Sequence, residues 1–216
     1  MSKTASARFV TFEGLEGVGK STAMALAGDI LKERQIGFVT TREPGGTPVA
    51  ESLRALVLGE HDESMADTTE LLMMFAARAQ NLAEVVRPAL NRGQWVLCDR
   101  FTDATIAYQG YGRGVSLSHI QWLADWVHGD LWPDRTILLE APHDIALARR
   151  TERGQSDRIE RENQRFFDRV GQGYDQLAKN EPERFRRVNT AGDLDSVSAQ
   201  LATVIDQLSA TAPCSG

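Results

Sequence analysis

Short apolar runs alternate along this chain with longer segments in which apolar residues recur at the spacing of one helix face. The apolar runs predict β-strands over residues 9–13, 37–41, 95–99, 136–140 and 185–189. The intervening segments predict helices over residues 20–34, 48–58, 68–91, 116–127, 144–150, 161–180 and 194–209. Such alternation is typical of a parallel sheet with helices on both faces. We therefore expect one three-layer α/β domain over residues 1–210 with a five-stranded parallel sheet, followed by a flexible tail over residues 211–216.

Composition narrows the class of protein without changing this expected fold. At 216 residues, with 42% hydrophobic and 25% charged residues, the chain can bury the core of one globular domain. A net charge of −6 argues against a nucleic-acid partner, which usually requires a basic face. No apolar stretch approaches the ~18 residues of a membrane span. The two cysteines, Cys98 and Cys214, form no metal-binding or disulfide pattern, so we expect a cytoplasmic protein with no membrane partner.

Residues 14–21 have the G-x-x-x-x-G-K-S spacing of a phosphate-binding loop, and they lie between a predicted strand and a predicted helix. In that setting, backbone N–H groups and the positive end of the helix dipole face the phosphates of a nucleoside triphosphate. Lys20 is expected to reach the β- and γ-phosphates, and the Ser21 hydroxyl to hold Mg²⁺. The predicted ATP-binding residues are Gly14, Leu15, Glu16, Gly17, Val18, Gly19, Lys20 and Ser21.

Arginines follow two of the predicted strands at the edge where parallel strands end and ligands bind. Arg42 lies in the sequence Thr-Arg-Glu-Pro-Gly-Gly after the second strand, and Arg54 lies on the next helix. Asp99 and Arg100 end the third strand. Asp99 suits a Walker-B role, in which it holds Mg²⁺ directly or through water, and Arg100 suits an anion clamp.

A run of charges over residues 149–158 begins at the end of a predicted helix and continues into a polar stretch that contains Gly and Ser. Alone, such a run usually marks a solvated surface. Together with a phosphate-binding loop, it predicts a mobile, arginine-rich lid over about residues 149–160. A closing lid excludes water and brings positive charge to the transferred phosphoryl group. Arg153 is the first candidate for that role, with Arg149 and Arg158 in support.

Taken together, these motifs closely resemble those of bacterial thymidylate kinases, from about Arg8 to Thr190. The resemblance is carried by residues 12–21, 41–46, 77–80, 99–101 and 107–110. It implies a P-loop kinase fold, a homodimer, and transfer of the γ-phosphate of Mg-ATP to deoxythymidine monophosphate in dTTP biosynthesis. The catalytic residues implied by the motifs and the resemblance are Lys20, Arg100, Arg149 and Arg153, with Ser21 and Asp99 at the metal.

The resemblance also implies a set of acceptor-binding residues. Glu16 matches the residue that takes the sugar 3′-hydroxyl, and Tyr108 matches one placed against C2′, where a ribose hydroxyl would clash. Arg42, Arg54 and Arg100 match positions around the acceptor phosphate. Arg78 matches the residue that binds the thymine edge, with Thr105 and Gln109 also on the base. Pro44, Met74 and Phe75 complete the expected set.

Two positions differ within the family. Some members carry an arginine after the acidic residue of the loop and lack arginines in the lid. Here Gly17 stands at that position, so the resemblance implies a catalytic arginine in the lid. Where the family commonly has an aromatic residue that stacks on the base, this chain has Met74, followed by Phe75. Either residue could pack on the thymine.

Two other functions are compatible with part of this pattern. A kinase for another nucleoside monophosphate, or for a deoxynucleoside, would use much of the same machinery. A nucleotide-dependent switch would need no small-molecule acceptor. GTP switches usually carry an Asn-Lys-x-Asp motif, which this chain lacks, and a switch would leave Arg78 and Gln109 without a role.

Overall fold

Five parallel strands form the central sheet of the computed structural model, which describes residues 7–154 and 157–210. The strand order is β2-β3-β1-β4-β5. The strands are β1 (Phe9–Glu13), β2 (Phe38–Arg42), β3 (Trp95–Asp99), β4 (Arg135–Glu140) and β5 (Phe185–Asn189). This confirms the predicted five-stranded parallel sheet, although β2 lies one residue later than predicted and β4 begins one residue earlier.

Helices cover both faces of this sheet. They are α1 (Lys20–Glu33), α2 (Pro48–Leu58), α3 (Asp67–Asn81), α4 (Arg87–Asn91), α5 (Thr102–Thr105), α6 (Leu117–Val127), α7 (His143–Arg153), α8 (Gln164–Asn180) and α9 (Leu194–Ala210). The helix predicted over residues 68–91 is continuous, but a π-helical stretch, Leu82–Val86, joins α3 to α4. Among the described residues, no helix is long and apolar enough to span a bilayer.

The cores on the two faces of the sheet share the central strand β1, whose residues alternate between them. Val10 and Phe12 pack in a cluster with residues of α1 and α9, including Leu31 and Leu201. Phe9, on the opposite face, packs with residues near α4 and with Phe101. Burial of β1 on both faces places its carboxyl end, and the loop that follows, at the centre of the molecule.

The segment after β3 is the main element absent from the predicted pattern. It forms the short helix α5 and then a π-helical stretch, Ile106–Gly112, that packs against α8. This stretch contains two glycines and no simple helical repeat of apolar residues, so periodicity gives no signal for it. Its residues Tyr108 and Gln109 are both buried.

Candidate active site

A cavity of about 650 Å³ opens where β1, β2 and β3 end. The phosphate-binding loop lies on one side, while α3 and the Ile106–Gly112 stretch lie on the other. Residues of α7 and of the loop after β5 complete the wall. The cavity therefore joins the predicted nucleotide and acceptor residues in one space. Those that line it include Glu16, Lys20, Arg42, Arg78, Arg100 and Tyr108.

Three glycines give the phosphate-binding loop its shape. Gly14, Gly17 and Gly19 have φ angles of 134°, 81° and 87°, a region that disfavours other residues. A Cβ atom on Gly14 would also lie 2.5 Å from the carbonyl oxygen of Leu139 on β4. A Cβ atom on Gly17 would overlap the carbonyl oxygen of Ala146 on α7. The loop is therefore packed directly between the sheet and α7.

Lys20 is the first residue of α1, and its ammonium group turns back under the loop. Its Nζ donates to the carbonyl oxygens of Gly14 at 3.3 Å and Leu15 at 3.0 Å, and it lies 3.8 Å from Glu16 Oε2. Burial lowers the pKa of Lys20, and the positive charge of Arg100 lowers it further. The amine is thus held by neutral carbonyls, which a phosphate can readily replace as partners.

Arg100 lies at the centre of a buried polar cluster. Its guanidinium donates to Glu16 and, at 3.0 Å each, to the hydroxyls of Tyr108 and Tyr174. Tyr174 in turn donates to Glu13 Oε2 at 2.7 Å. Burial alone would lower the pKa of Arg100, but its interactions with Tyr108 and Glu16 outweigh that effect and raise it. The cluster fixes a permanent positive charge in the cavity.

The arginines that follow β2 lie beside the same cavity. Arg42 pairs with Glu51 on α2 through two hydrogen bonds of 3.1 and 2.8 Å, and its side chain is 52% exposed. Arg54 donates to the carbonyl oxygen of Pro44 at 2.9 Å. Burial lowers the pKa of Arg54, and the charge of Arg42 adds to this. The two guanidinium groups are close enough to influence each other, and both line the cavity together with Arg100.

Arg78 extends from α3 to the side of the cavity opposite the phosphate-binding loop. Its Nε donates to Glu43 Oε2 at 2.7 Å, and its Nη2 donates to the Thr105 hydroxyl at 2.9 Å. Its Nη1 is buried and has no hydrogen-bond partner among the described residues. Such a donor is costly to bury unless a ligand supplies its acceptor. The same wall contains Gln109, which is fully buried.

Met74 and Phe75 have different surroundings. Met74 lines the cavity together with Arg78, as expected for residues four apart on one helix face. Phe75 is buried and does not line the cavity, contrary to the expectation that it contacts the substrate. The Phe75 ring packs with Ile120 and Leu123 of α6, and the Arg78 guanidinium lies over it at 4.6 Å. Phe75 therefore supports Arg78 from the core.

Asp99 ends β3 beside the phosphate-binding loop. Its Oδ1 atom is buried and has no hydrogen-bond partner among the described residues. Asp99 and Ser21 both line the cavity. A carboxylate oxygen and a hydroxyl are the protein ligands that Mg²⁺ takes beside phosphate oxygens and water. These two residues therefore fit the expected metal site.

The arginines of the predicted lid lie in different places. Arg149 lines the cavity and donates to the carbonyl oxygen of Thr190 at 2.9 Å. Arg150 donates to the carbonyl oxygen of Glu160 at 2.9 Å. Arg158 does not line the cavity and donates instead to the Val57 carbonyl oxygen and to Glu70. Its expected supporting role in the lid stays a prediction. Helix α7 ends at Arg153, and the Arg153 side chain lies outside the described part of the structure.

For several supporting residues, the sequence gives no signal of the role that they have in the site. Tyr174 reaches Arg100 from α8, 74 residues away in the chain. Glu43 holds Arg78, although it lies within the Thr-Arg-Glu-Pro-Gly-Gly motif. Glu70 holds Gln109 at 2.8 Å. The pairing of buried polar groups across the fold brings these residues together, and only the folded chain reveals it.

The loop, the buried Lys20 and the arginines around one cavity define a P-loop phosphotransferase with room for a nucleotide and a second anionic substrate. The sequence pattern of the family described as "Thymidylate kinase" matches residues 12–201. The chain is 51% identical to thymidylate kinase of Alkalilimnicola ehrlichii, over 90% of each chain. It is 52% identical to thymidylate kinase of Pseudomonas savastanoi, over 93% of this chain and 95% of that one.

The crystal structure of thymidylate kinase from Ehrlichia chaffeensis has the same fold. It is 30% identical, with a TM-score of 0.75, over 93% of this chain and 99% of that one. The chain therefore belongs to the thymidylate kinase family. It is a nucleotide-dependent kinase that phosphorylates deoxythymidine monophosphate. The family, fold and reaction predicted from the sequence are confirmed.

Proposed function

We propose that the cavity holds its two substrates end to end, with ATP on the phosphate-binding loop and deoxythymidylate against α3 and the Ile106–Gly112 stretch. The observation that carries this proposal is that Lys20 and Arg78 line one continuous cavity. Thr190 and Gly192, after β5, line its nucleotide end and give the adenine a place. Met74 lies beside Arg78 and packs on the thymine ring.

The acceptor phosphate binds to Arg42, Arg54 and Arg100. Arg42 is free to exchange partners because its pair with Glu51 is exposed, and exposed pairs contribute little stability. Glu16 takes the 3′-hydroxyl of the sugar. Tyr108 is fixed against C2′ by its hydroxyl, which accepts from Arg100. Two anionic substrates can then approach because the arginines offset their repulsion.

Ser21 and Asp99 would hold Mg²⁺ together with the phosphates of ATP, and the bound metal would supply charge neutralisation at the transferred group. Lys20 and Arg100 provide fixed positive charge on either side of the reacting phosphates. Arg149, and Arg153 at the end of α7, add positive charge from the lid. No general base is needed, since an oxygen of the acceptor phosphate is already an anion. Catalysis therefore rests on positioning and electrostatics.

The Asp99→Asn variant tests the metal site. The amide has the same shape but no charge, so turnover should fall on the order of 100-fold and more Mg²⁺ should be required for half-maximal rate. Asp29→Asn, at an exposed pair with Lys32, is the control. A Mg²⁺ titration of ADP formation measures both variants. An unchanged magnesium requirement in Asp99→Asn would refute the assignment.

We also propose that the protein is a cytoplasmic homodimer. Helices α3 and α6 pack together through Leu71 and Ile120, and their outer faces carry exposed apolar residues. Trp122 and Trp126 of α6 are 63% and 74% exposed, and their rings lie 5.6 Å apart. A second copy of the chain would bury this surface.

A further inference from the structure

Glu70 is a buried carboxylate behind the wall of the cavity that Arg78 and Gln109 form. It lies in the first turn of α3 and is 1% exposed. Its Oε1 accepts from Gln109 Nε2 at 2.8 Å and from Arg113 Nε at 3.3 Å. Its Oε2 accepts from Arg113 Nη2 at 3.3 Å and from Arg158. Burial raises the pKa of Glu70, but the hydrogen bonds from Gln109 and Arg158 outweigh it and lower the pKa.

An ionised carboxylate can only accept hydrogen bonds, and this decides the orientation of the Gln109 amide. The NH₂ group must face Glu70, so Oε1 is the amide atom left for a ligand. Oε1 is buried and has no hydrogen-bond partner in the described part of the chain, while Gln109 lines the cavity. The orientation of the Gln109 amide is thus set by Glu70, which does not line the cavity.

The neighbouring Arg78 is held in a similar way. A second buried carboxylate, Glu43, takes its Nε, and Thr105 takes its Nη2. Its Nη1 is then the donor left for a ligand. The wall that Arg78 and Gln109 form therefore offers one hydrogen-bond donor and one hydrogen-bond acceptor, each fixed by a buried carboxylate. Glu43 also lines the cavity, whereas Glu70 lies behind its lining.

This pair matches one kind of pyrimidine edge. Thymine carries an acceptor, O4, beside a donor, N3–H, whereas cytosine carries a donor, the 4-amino group, beside an acceptor, N3. We propose that Glu70 is a specificity-determining positioning residue: by holding the Gln109 amide in one orientation, it makes the wall complementary to 4-oxo pyrimidines and not to 4-amino pyrimidines. This inference rests on the proposed placement of the base at Arg78 and Gln109.

Equilibrium binding of dTMP and dCMP, measured by calorimetry with dCMP in competition against dTMP, tests the proposal. In Glu70→Gln the new amide can donate as well as accept, so the Gln109 amide is free to turn over. We expect dTMP to bind about tenfold more weakly than to the wild type, and the affinity for dCMP not to fall. The preference for dTMP over dCMP should therefore narrow about tenfold. The Arg113→Met variant keeps the carboxylate and should retain the full preference.

Further variants separate this proposal from the placement of the base. Gln109→Met removes both polar atoms of the amide. In the Gln109→Met background, Glu70→Gln should cause no further narrowing of the preference for dTMP over dCMP. If Glu70→Gln alone does not fold, Glu70→Gln with Arg113→Met removes one charge of each sign and is compared with Arg113→Met. An unchanged preference in these Glu70 variants, with reduced stability alone, overturns the role of Glu70. An unchanged preference in Gln109→Met overturns the placement of the base on Gln109.

Discussion

Several of the arginines proposed to bind the substrates are paired with carboxylates of the protein. Glu51 holds Arg42 at the surface, and Glu16 holds Arg100 in the interior. Exchange of Glu51 for a phosphate costs little, because an exposed ion pair contributes about 0–1 kcal/mol. Arg100 keeps its place when substrates leave, because Tyr108 and Tyr174 also bind it. The acceptor site is thus partly preformed and partly assembled by the ligand.

His128 provides a residue-scale prediction about pH. It is 3% exposed, and burial and the charge of Arg78 lower its pKa from 6.5 to about 4. Between these values the unfolded chain binds the proton and the folded chain does not. Stability is therefore complete above about pH 6.5 and falls by about 3 kcal/mol as the pH drops to about 4. Urea unfolding of wild type and His128→Gln at several pH values measures this.

Carboxylates also contribute to the loss of stability in acid. The relevant quantity is therefore the difference in the free energy of unfolding between the wild type and His128→Gln. The His128→Gln variant should lose this part of the pH dependence and keep the rest. Parallel curves for the two proteins between pH 6.5 and 4 would show that His128 does not titrate in this way.

Which residues could be found from the sequence depends on whether their partners are local. Lys20, Ser21 and Asp99 lie in motifs at strand ends, so their meeting in one cavity was predictable. Which of Met74 and Phe75 faces the cavity was not predictable, because that depends on the rotation of α3 against α6. The packing of Phe75 on α6 leaves Met74 facing the cavity.

At the scale of elements, the strands and most helices follow from hydrophobic periodicity. β1, β3, β5 and α2 have their predicted bounds. The Ile106–Gly112 stretch does not follow from periodicity, since its packing on α8 overrides local propensity. The bend of the chain after β3 is equally non-local: Arg100 has a φ of 69°, and Phe101 N donates to the buried Glu13 Oε1 at 2.7 Å.

Contact between the phosphate-binding loop and α7 provides a prediction at this scale. Gly17 has a φ of 81°, and a Cβ atom there would overlap the Ala146 carbonyl oxygen and lie 3.0 Å from Arg150 Cγ. Gly17→Ala should therefore displace α7, destabilise the protein by about 1–3 kcal/mol and raise the KM for ATP about tenfold or more. Thermal unfolding and steady-state kinetics measure both effects.

Gly171→Ala is the matched control, because an added Cβ on this α8 glycine meets no atom within 4 Å. It should stabilise the protein by about 0.5–1 kcal/mol and leave the KM for ATP unchanged. A Gly17→Ala enzyme with normal ATP affinity would contradict the close packing of the loop on α7. The same packing explains why a large side chain at position 17 does not fit beside this α7.

At the scale of the whole molecule, the exposed tryptophans of α6 predict association. Sedimentation at micromolar concentration should give the mass of a dimer for the wild type and of a monomer for Trp126→Lys, because a buried charge opposes an apolar interface. Leu147→Lys, which changes an exposed leucine on α7, should remain dimeric. A monomeric wild type would contradict the proposed dimer. A dimeric Trp126→Lys variant would exclude α6 from the interface.

The order of the strands places the ends of β1, β2 and β3 side by side, and this brings the nucleotide and acceptor sites into one cavity. The central claim is that this cavity transfers phosphate from ATP to thymidylate. The most direct measurement is ADP release from Mg-ATP by the purified protein, alone and with dTMP, dUMP, dCMP, dAMP, dGMP or thymidine. We predict slow release alone, strong stimulation by dTMP and weaker stimulation by dUMP, which lacks one methyl group. Equal stimulation by thymidine or by another monophosphate, or release indifferent to every acceptor, would contradict this account.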